Sequence, residues 1–174
     1  MFIPAFLGQV RLAERRRTSQ GRLWWMHHIL NTRAYAETSF QNDLPGALKA
    51  VGELWRAVLD WQALTHSPVA GVLMGEHTVL VKLLVDCIAL GKGNSCADTA
   101  VEALLRTVDE SAQLFPRDPA GFAALFGPHT QLAGAYITDL ANKDQESFQT
   151  HWAQALANGE ALGRWTDEHF FVRT

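Results

Sequence analysis

Seven histidines are spread along this chain of 174 residues, and four of them stand in three stretches that resemble one another. These are "MHHILNTRAY" (26–35), "GEHTVLVKLL" (75–84) and "GPHTQLAGAY" (127–136). Imidazole titrates near neutral pH and is the commonest metal ligand among side chains, so its recurrence needs a cause. In the first and last stretches a tyrosine follows seven residues on (His28 and Tyr35, His129 and Tyr136) and an aspartate fifteen on (Asp43, Asp144). The middle copy keeps His77 alone, with Leu84 at the tyrosine position. Helix positions 0, 3, 4 and 7 share a face. His129 is therefore predicted to share a stripe with Leu132, Ala133 and Tyr136, and His77 with Leu80, Val81 and Leu84, both toward a core. His28 shares one with Thr32 and Tyr35, and His27 faces elsewhere.

Each of the three reads as lying near a helix beginning. In an up-and-down order the first, third and fifth helices start at the same end, where the sixth finishes. Its series Phe148, Ala155, Leu162 continues to His169. His28, His77, His129 and His169 are thus expected to gather at one end of the molecule, with Glu76 and Glu168 alongside. Amides at a helix start carry partial positive charge, which favours neutral imidazole, the metal-binding form, and stabilises a carboxylate such as Glu76. Three imidazoles with one or two carboxylates suit a divalent transition metal (zinc, iron, nickel or manganese) and leave a position open for water. Such an ion polarises a carbonyl or activates a water. Two other readings stand beside it. The histidines pack or cap within the core, hydrogen-bonded to tyrosine or backbone, or Tyr35 and Tyr136 line a pocket for a small organic ligand. His66 and His151 read as turn and surface residues.

Nearly every long segment of the chain repeats with a helical period. Leu48, Val51, Trp55, Val58 and Leu59 make one predicted buried stripe. Val101, Leu104, Leu105, Val108 and Ala112 make a second, and Phe148, Trp152, Ala155 and Leu162 a third. The breaks "FQNDLPG", "THSP", "GKGNS", "FPRDP", "LFGP" and "NKDQ" divide the chain into helices near 20–41, 44–64, 69–91, 95–114, 128–142 and 144–166, with a short one at 4–16. Asp43, Ser95 and Asp144 are predicted N-caps, Ser95 with Asp98 as a capping box, and Pro128 suits a first helical position. Short connections make antiparallel neighbours. The expected fold is all-α: a single up-and-down bundle of about six helices built from three αα-hairpins, with 1–19 as an arm or short helix. A lone hairpin cannot bury its apolar face, which is why such units repeat.

The stretches "GEHTVLVKLLVDCIALGKGN" and "GPHTQLAGAYITDLANKDQESFQTHWAQALANGEALGRWTDEHF" resemble a family of small, uncharacterised bacterial helical-bundle proteins. Members carry segments similar to L-x-x-E-H-x-x-x-A at one helix start and W-P-x-H-x-x-x-T at another. The resemblance spans about the last two thirds of the chain and departs from it between Thr65 and Gly75, where the polar lead-in to the Glu-His pair is missing. It implies an all-helical fold and brings no activity with it.

Composition closes off several classes. A net charge of −3 with 19% charged residues gives no reason to expect nucleic acid. The cluster Arg11, Arg15, Arg16, Arg17 and Arg22 reads as a solvated surface. Two cysteines make no disulfide framework, so a reducing, cytoplasmic setting is expected, with Cys87 a buried inert thiol. The opening "MFIPAFLGQV" lacks the layout of a signal peptide, and Lys82 and Asp86 interrupt the longest apolar run, so no membrane span is expected. There is no H-E-x-x-H, no glutamate three residues before a histidine, and no histidine pair at four-residue spacing. "GKGNS" lacks the order of a phosphate loop and reads as a helix stop followed by a cap. Six tryptophans are many for this length. Trp55 and Trp152 fit core stripes, whereas Trp24 and Trp25 are adjacent and cannot face the same way: either both pack at least partly against the N-terminal segment, or one rims a pocket or serves a homodimer surface. The expected function is divalent metal binding through the histidines, with a non-enzymatic helical interaction module or a small-ligand-binding bundle as alternatives.

Overall fold

The computed structural model describes residues 20–171. The predicted helix at 4–16 and Arg11, Arg15, Arg16 and Arg17 lie outside the described residues. Within them the chain forms six helices and no strand: α1 Gln20–Phe40, α2 Leu44–Thr65, α3 Pro68–Ala89, α4 Asn94–Ala112, α5 Pro119–Asn142 and α6 Gln145–Phe171. The all-α bundle expected from periodicity is the fold observed. No described helix is long and apolar enough to cross a membrane.

Local chemistry explains most of the boundaries. Asp43 accepts from the Gly46 amide at the start of α2, and Asp144 accepts from the Ser147 amide at the start of α6, both at 3.1 Å. The residue before each aspartate, Asn42 or Lys143, turns in the left-handed region at φ 56° or 57°. The repeat that pairs His28 with His129 therefore extends to the turns that end their helices. Ser67 and Asp118 cap α3 and α5 in the same manner, each followed directly by proline. Two expectations are corrected here. Ser95 is no cap, since Gly93 occupies that position without a side-chain bond and Ser95 lies inside α4. Pro128 is no start, because α5 begins nine residues earlier at Pro119 and runs through it. Pro128 withholds the amide that would pair with the carbonyl of Ala124. Buried Phe122 and Phe126 before it, and Ala133, Tyr136 and Ile137 after it, keep the helix continuous.

The helices close into a ring in chain order. Each of α2, α4 and α6 lies between two of α1, α3 and α5, and these three also touch one another across the centre. The tightest approach joins α1 to α6. A Cβ on Gly163 would stand 2.5 Å from the Arg22 Cα, so only glycine fits there. The first turn of α1 is also held from α6, where Asp167 accepts from the Gly21 amide at 2.7 Å.

Burial corrects the stripe read along α2. Its inward residues are Ala50, Leu54, Ala57, Val58 and Trp61. Leu48 and Leu59 are exposed, and Trp55 is 45% exposed. Small Ala57 lets the α2 backbone meet α1, where Trp24 Nε1 donates to the Ala57 carbonyl at 2.7 Å. Trp24 and Trp25 are both buried, so neither offers the partner surface considered for them. Cys87 and Cys96 form a disulfide across the α3–α4 turn, which overturns the free thiol and removes the cysteine argument for a reducing setting.

Candidate metal centre

Each inner helix contributes one histidine. His28, His77 and His129 lie eight, nine and ten residues past the starts of α1, α3 and α5, and twelve, twelve and thirteen before their ends. They are mid-helix residues, which corrects their expected place at helix beginnings. At about 1.5 Å rise per residue they sit about 12–15 Å from the helix starts. Matching depth on three helices brings the rings into one layer. Their centroids form a near-equilateral triangle with sides of 5.7, 5.9 and 6.0 Å. That layer divides the core in two. On one side lie Trp24, Trp25, Trp61, Phe122 and Phe126, and on the other Tyr35, Val81, Leu84, Ala133 and Tyr136.

All three rings are buried, with exposures of 1%, 1% and 4%. One nitrogen of each can be chosen so that all lie within 4.8 Å of one another. Their common centre is then within about 2.8 Å of each, against about 2.0–2.1 Å for a zinc–imidazole bond. Closing that gap takes less than about 1 Å of movement per ring, within the reach of side-chain rotation. His28 Nδ1, His129 Nδ1 and both nitrogens of His77 have no hydrogen-bond partner. Buried polar atoms are rarely left this way, because each forfeits its hydration without return.

The rings are held neutral by burial. It drives His77 down to about 3 and His129 down to about 4. Burial likewise takes His28 well below the usual histidine range, helped by repulsion from His77, His129 and His27. The helix-start field invoked from the sequence falls off within the first turn and does not reach this layer. Neutral imidazole, the form that ligates metals, results from a different cause than expected.

The other predicted ligands stand elsewhere. His169 Nδ1 lies 2.8 Å from the Trp165 carbonyl, and its ring stacks on Trp165 with Nε2 3.7 Å from Asp118. Glu76 and Glu168 are exposed. Glu76 and Glu168 each directly precede a histidine, but that adjacency turns a side chain by about 100° around a helix, away from its neighbour's face. Among the described residues, the metal-ligand group contains the three histidines and no carboxylate. Tyr35 and Tyr136 lie beyond the histidine layer and do not share one pocket. Tyr35 donates to Asp86 at 2.7 Å and borders a cavity of about 410 Å³ with Lys82 and Leu48. Tyr136 is buried edge-on against Trp152.

The surroundings hold features that spacing alone missed. Trp24 stacks parallel on His28 at 5.3 Å, Phe126 stacks on His129 at 5.8 Å, and Trp25 meets His129 edge-on at 5.2 Å. Phe126 also lies 5.0 Å from His77. From α6, Asn158 approaches His129 and opposes part of its loss of proton affinity. Its Nδ2 donates to the Leu125 carbonyl at 3.0 Å, while its buried Oδ1 lacks a partner of good geometry. The repeat carried a signal for it. Asn158 follows Asp144 by fourteen residues, as fully buried Ala57 follows Asp43. Asn158 is partly buried, with its unpartnered Oδ1 sheltered from solvent.

Three neutral donors converging in an apolar layer can bind a transition-metal ion, orient it and leave a coordination position free. No family model, curated protein or solved structure matches this chain, so the chemistry of the centre rests on its own geometry.

Proposed function

We propose that this protein binds a transition-metal ion through His28, His77 and His129. The observation that carries the reading is the convergence of three buried imidazoles, each with a ring nitrogen that has no partner within the protein. A packing role would leave those nitrogens unsatisfied, at a cost of about 1–3 kcal/mol for each orphaned group. An ion supplies the missing partner to all three at once. Held by three protein ligands, it keeps a position for water or a substrate oxygen, the arrangement that serves Lewis-acid chemistry.

The test is metal content after reconstitution, read by elemental analysis. The full chain is expected to retain one equivalent, and His28→Ala and His129→Ala to retain none while keeping their helical circular dichroism. Wild-type protein that comes through dialysis metal-free, with unchanged stability in the presence of metal, would refute the reading.

Self-association is the second reading, and its support has moved. Trp24 and Trp25 are interior, while Leu48, Trp55 and Leu59 on α2 and Val72, Val79 and Leu83 on α3 are exposed. Such a collection is more apolar than a monomer surface needs. Light scattering on the wild type and on Trp55→Lys distinguishes a dimer through this face from a monomer.

A further inference from the structure

The charge around the three rings narrows the ion. A buried cation is stabilised by ligands, by compensating anions, or by both, and cost rises with the square of its charge. Iron and manganese centres commonly include a carboxylate for that reason, and a zinc ion held by three histidines alone brings a hydroxide to share its charge. Here the expected carboxylates, Glu76 and Glu168, are exposed. Among the described residues, the group that could hold an ion is the three histidines with no carboxylate. The walls are Trp24, Trp25 and Phe126. A divalent ion would keep two uncompensated charges in this layer or carry an anion in with it. A monovalent ion would keep one, at about a quarter of the desolvation cost.

Resting on the metal-site reading above, we infer that the ion this centre takes is monovalent copper. Imidazole is a good ligand for copper, and the near-equilateral set of three rings offers three donors at similar distances from one centre. Stacked aromatic faces stabilise a cation nearby without supplying formal charge. Cys87 and Cys96 are tied to each other, so no described free thiolate draws copper elsewhere.

The full chain is titrated under ascorbate, which keeps copper cuprous and leaves the disulfide intact. Cuprous ion is presented as its coloured bicinchoninate complex, and zinc ion is tested in parallel against a chromogenic chelator. The expected result is one equivalent of cuprous ion withdrawn by the protein and retained against roughly a hundredfold excess of zinc. In His77→Leu, which fills the same space with an apolar side chain, affinity is expected to fall at least about a hundredfold. X-ray absorption on the wild-type complex is expected to show nitrogen donors alone. One equivalent of zinc bound while copper stays on its chelator, or copper displaced by zinc, overturns the copper assignment and leaves the metal site standing. Copper held equally by His77→Leu places it elsewhere and overturns the assignment too. Neither ion bound removes the metal site and the copper assignment together.

Discussion

Two polar clusters lie on the same pair of inner helices, about 10 Å apart along the axis, and they are built on opposite terms. In the lower one, Tyr35 of α1 donates to Asp86 of α3, and Lys82 pairs with Asp86 one turn away. Each group has found a partner, and half of the cluster reaches solvent. The proton on Tyr35 is held more tightly than usual, first by burial and then by that hydrogen bond. In the upper one, His28 and His77 face each other and His129, each with at least one nitrogen unpartnered and the residues almost closed to solvent. Burial on the same helices thus yields a closed structural network in one layer and an open set of donors in the next. A satisfied cluster explains itself, whereas an unsatisfied one calls for a ligand.

Acid should break the comparison hardest. For the metal-free protein, the three rings stay neutral when folded but take up protons near pH 6.5 when unfolded. The unfolded state therefore binds more protons, and stability falls as pH drops through the window from about 6.5 toward about 4 and 3, where His129 and His77 titrate. Each ring contributes about 1.4 kcal/mol per pH unit, or about 4 kcal/mol per unit for three. Denaturant melts at stepped pH values measure it, and a flat profile between pH 6.5 and 4.5 contradicts the buried neutral triad.

His77→Leu sharpens the contrast next. Replacing an unpartnered buried ring by an apolar side chain is expected to raise metal-free stability by about 1–3 kcal/mol. It should also abolish the gain that wild type shows with metal, about 2.7 kcal/mol at a concentration one hundred times Kd. Thermal melts with and without metal read both effects. A destabilised variant would mean that His77 makes a structural bond in the folded chain.

Tyr35→Phe probes the lower cluster and should behave oppositely. It removes one satisfied hydrogen bond, costs about 1 kcal/mol, and leaves metal uptake untouched. Reduced uptake would link the two layers. The smallest effect belongs to Glu76→Gln and Glu168→Gln, expected within about 0.5 kcal/mol of wild type with unchanged metal content. A loss of metal in either would restore the carboxylates to the site.

Much of this was readable in the chain, though not always for the right reason. The recurrence of His28 and His129 with Tyr35, Tyr136, Asp43 and Asp144 at fixed intervals marks two of the inner rings and the caps that start the second helix of each hairpin. His77 was reached through the weaker middle copy. His129 stands mid-helix because Asp118 and Pro119, not Pro128, start its helix, whereas His28 and His77 already lie eight residues into the helices that periodicity marks at 20–41 and 69–91. His169 continued the correct heptad of α6 but lies too far along it, beside Trp165 and Asp118. Neither the Trp24 stack on His28 nor Asn158 was recognised, although the repeat places Asn158 opposite a core alanine.

Periodicity, caps and turn residues act over a few residues, so the sequence by itself determined six helices, their order and their hairpin pairing. Which face each helix buries depends on the surface it meets, and α2 shows this most clearly. Two apolar stripes compete along it, and the one with small Ala50 and Ala57 goes inward because α1 must approach closely. Convergence of the three imidazoles, exclusion of the carboxylates and the pairing of Cys87 with Cys96 were decided only when the ring of helices closed. Distances among side chains far apart in the chain are set by packing, and no local pattern encodes them.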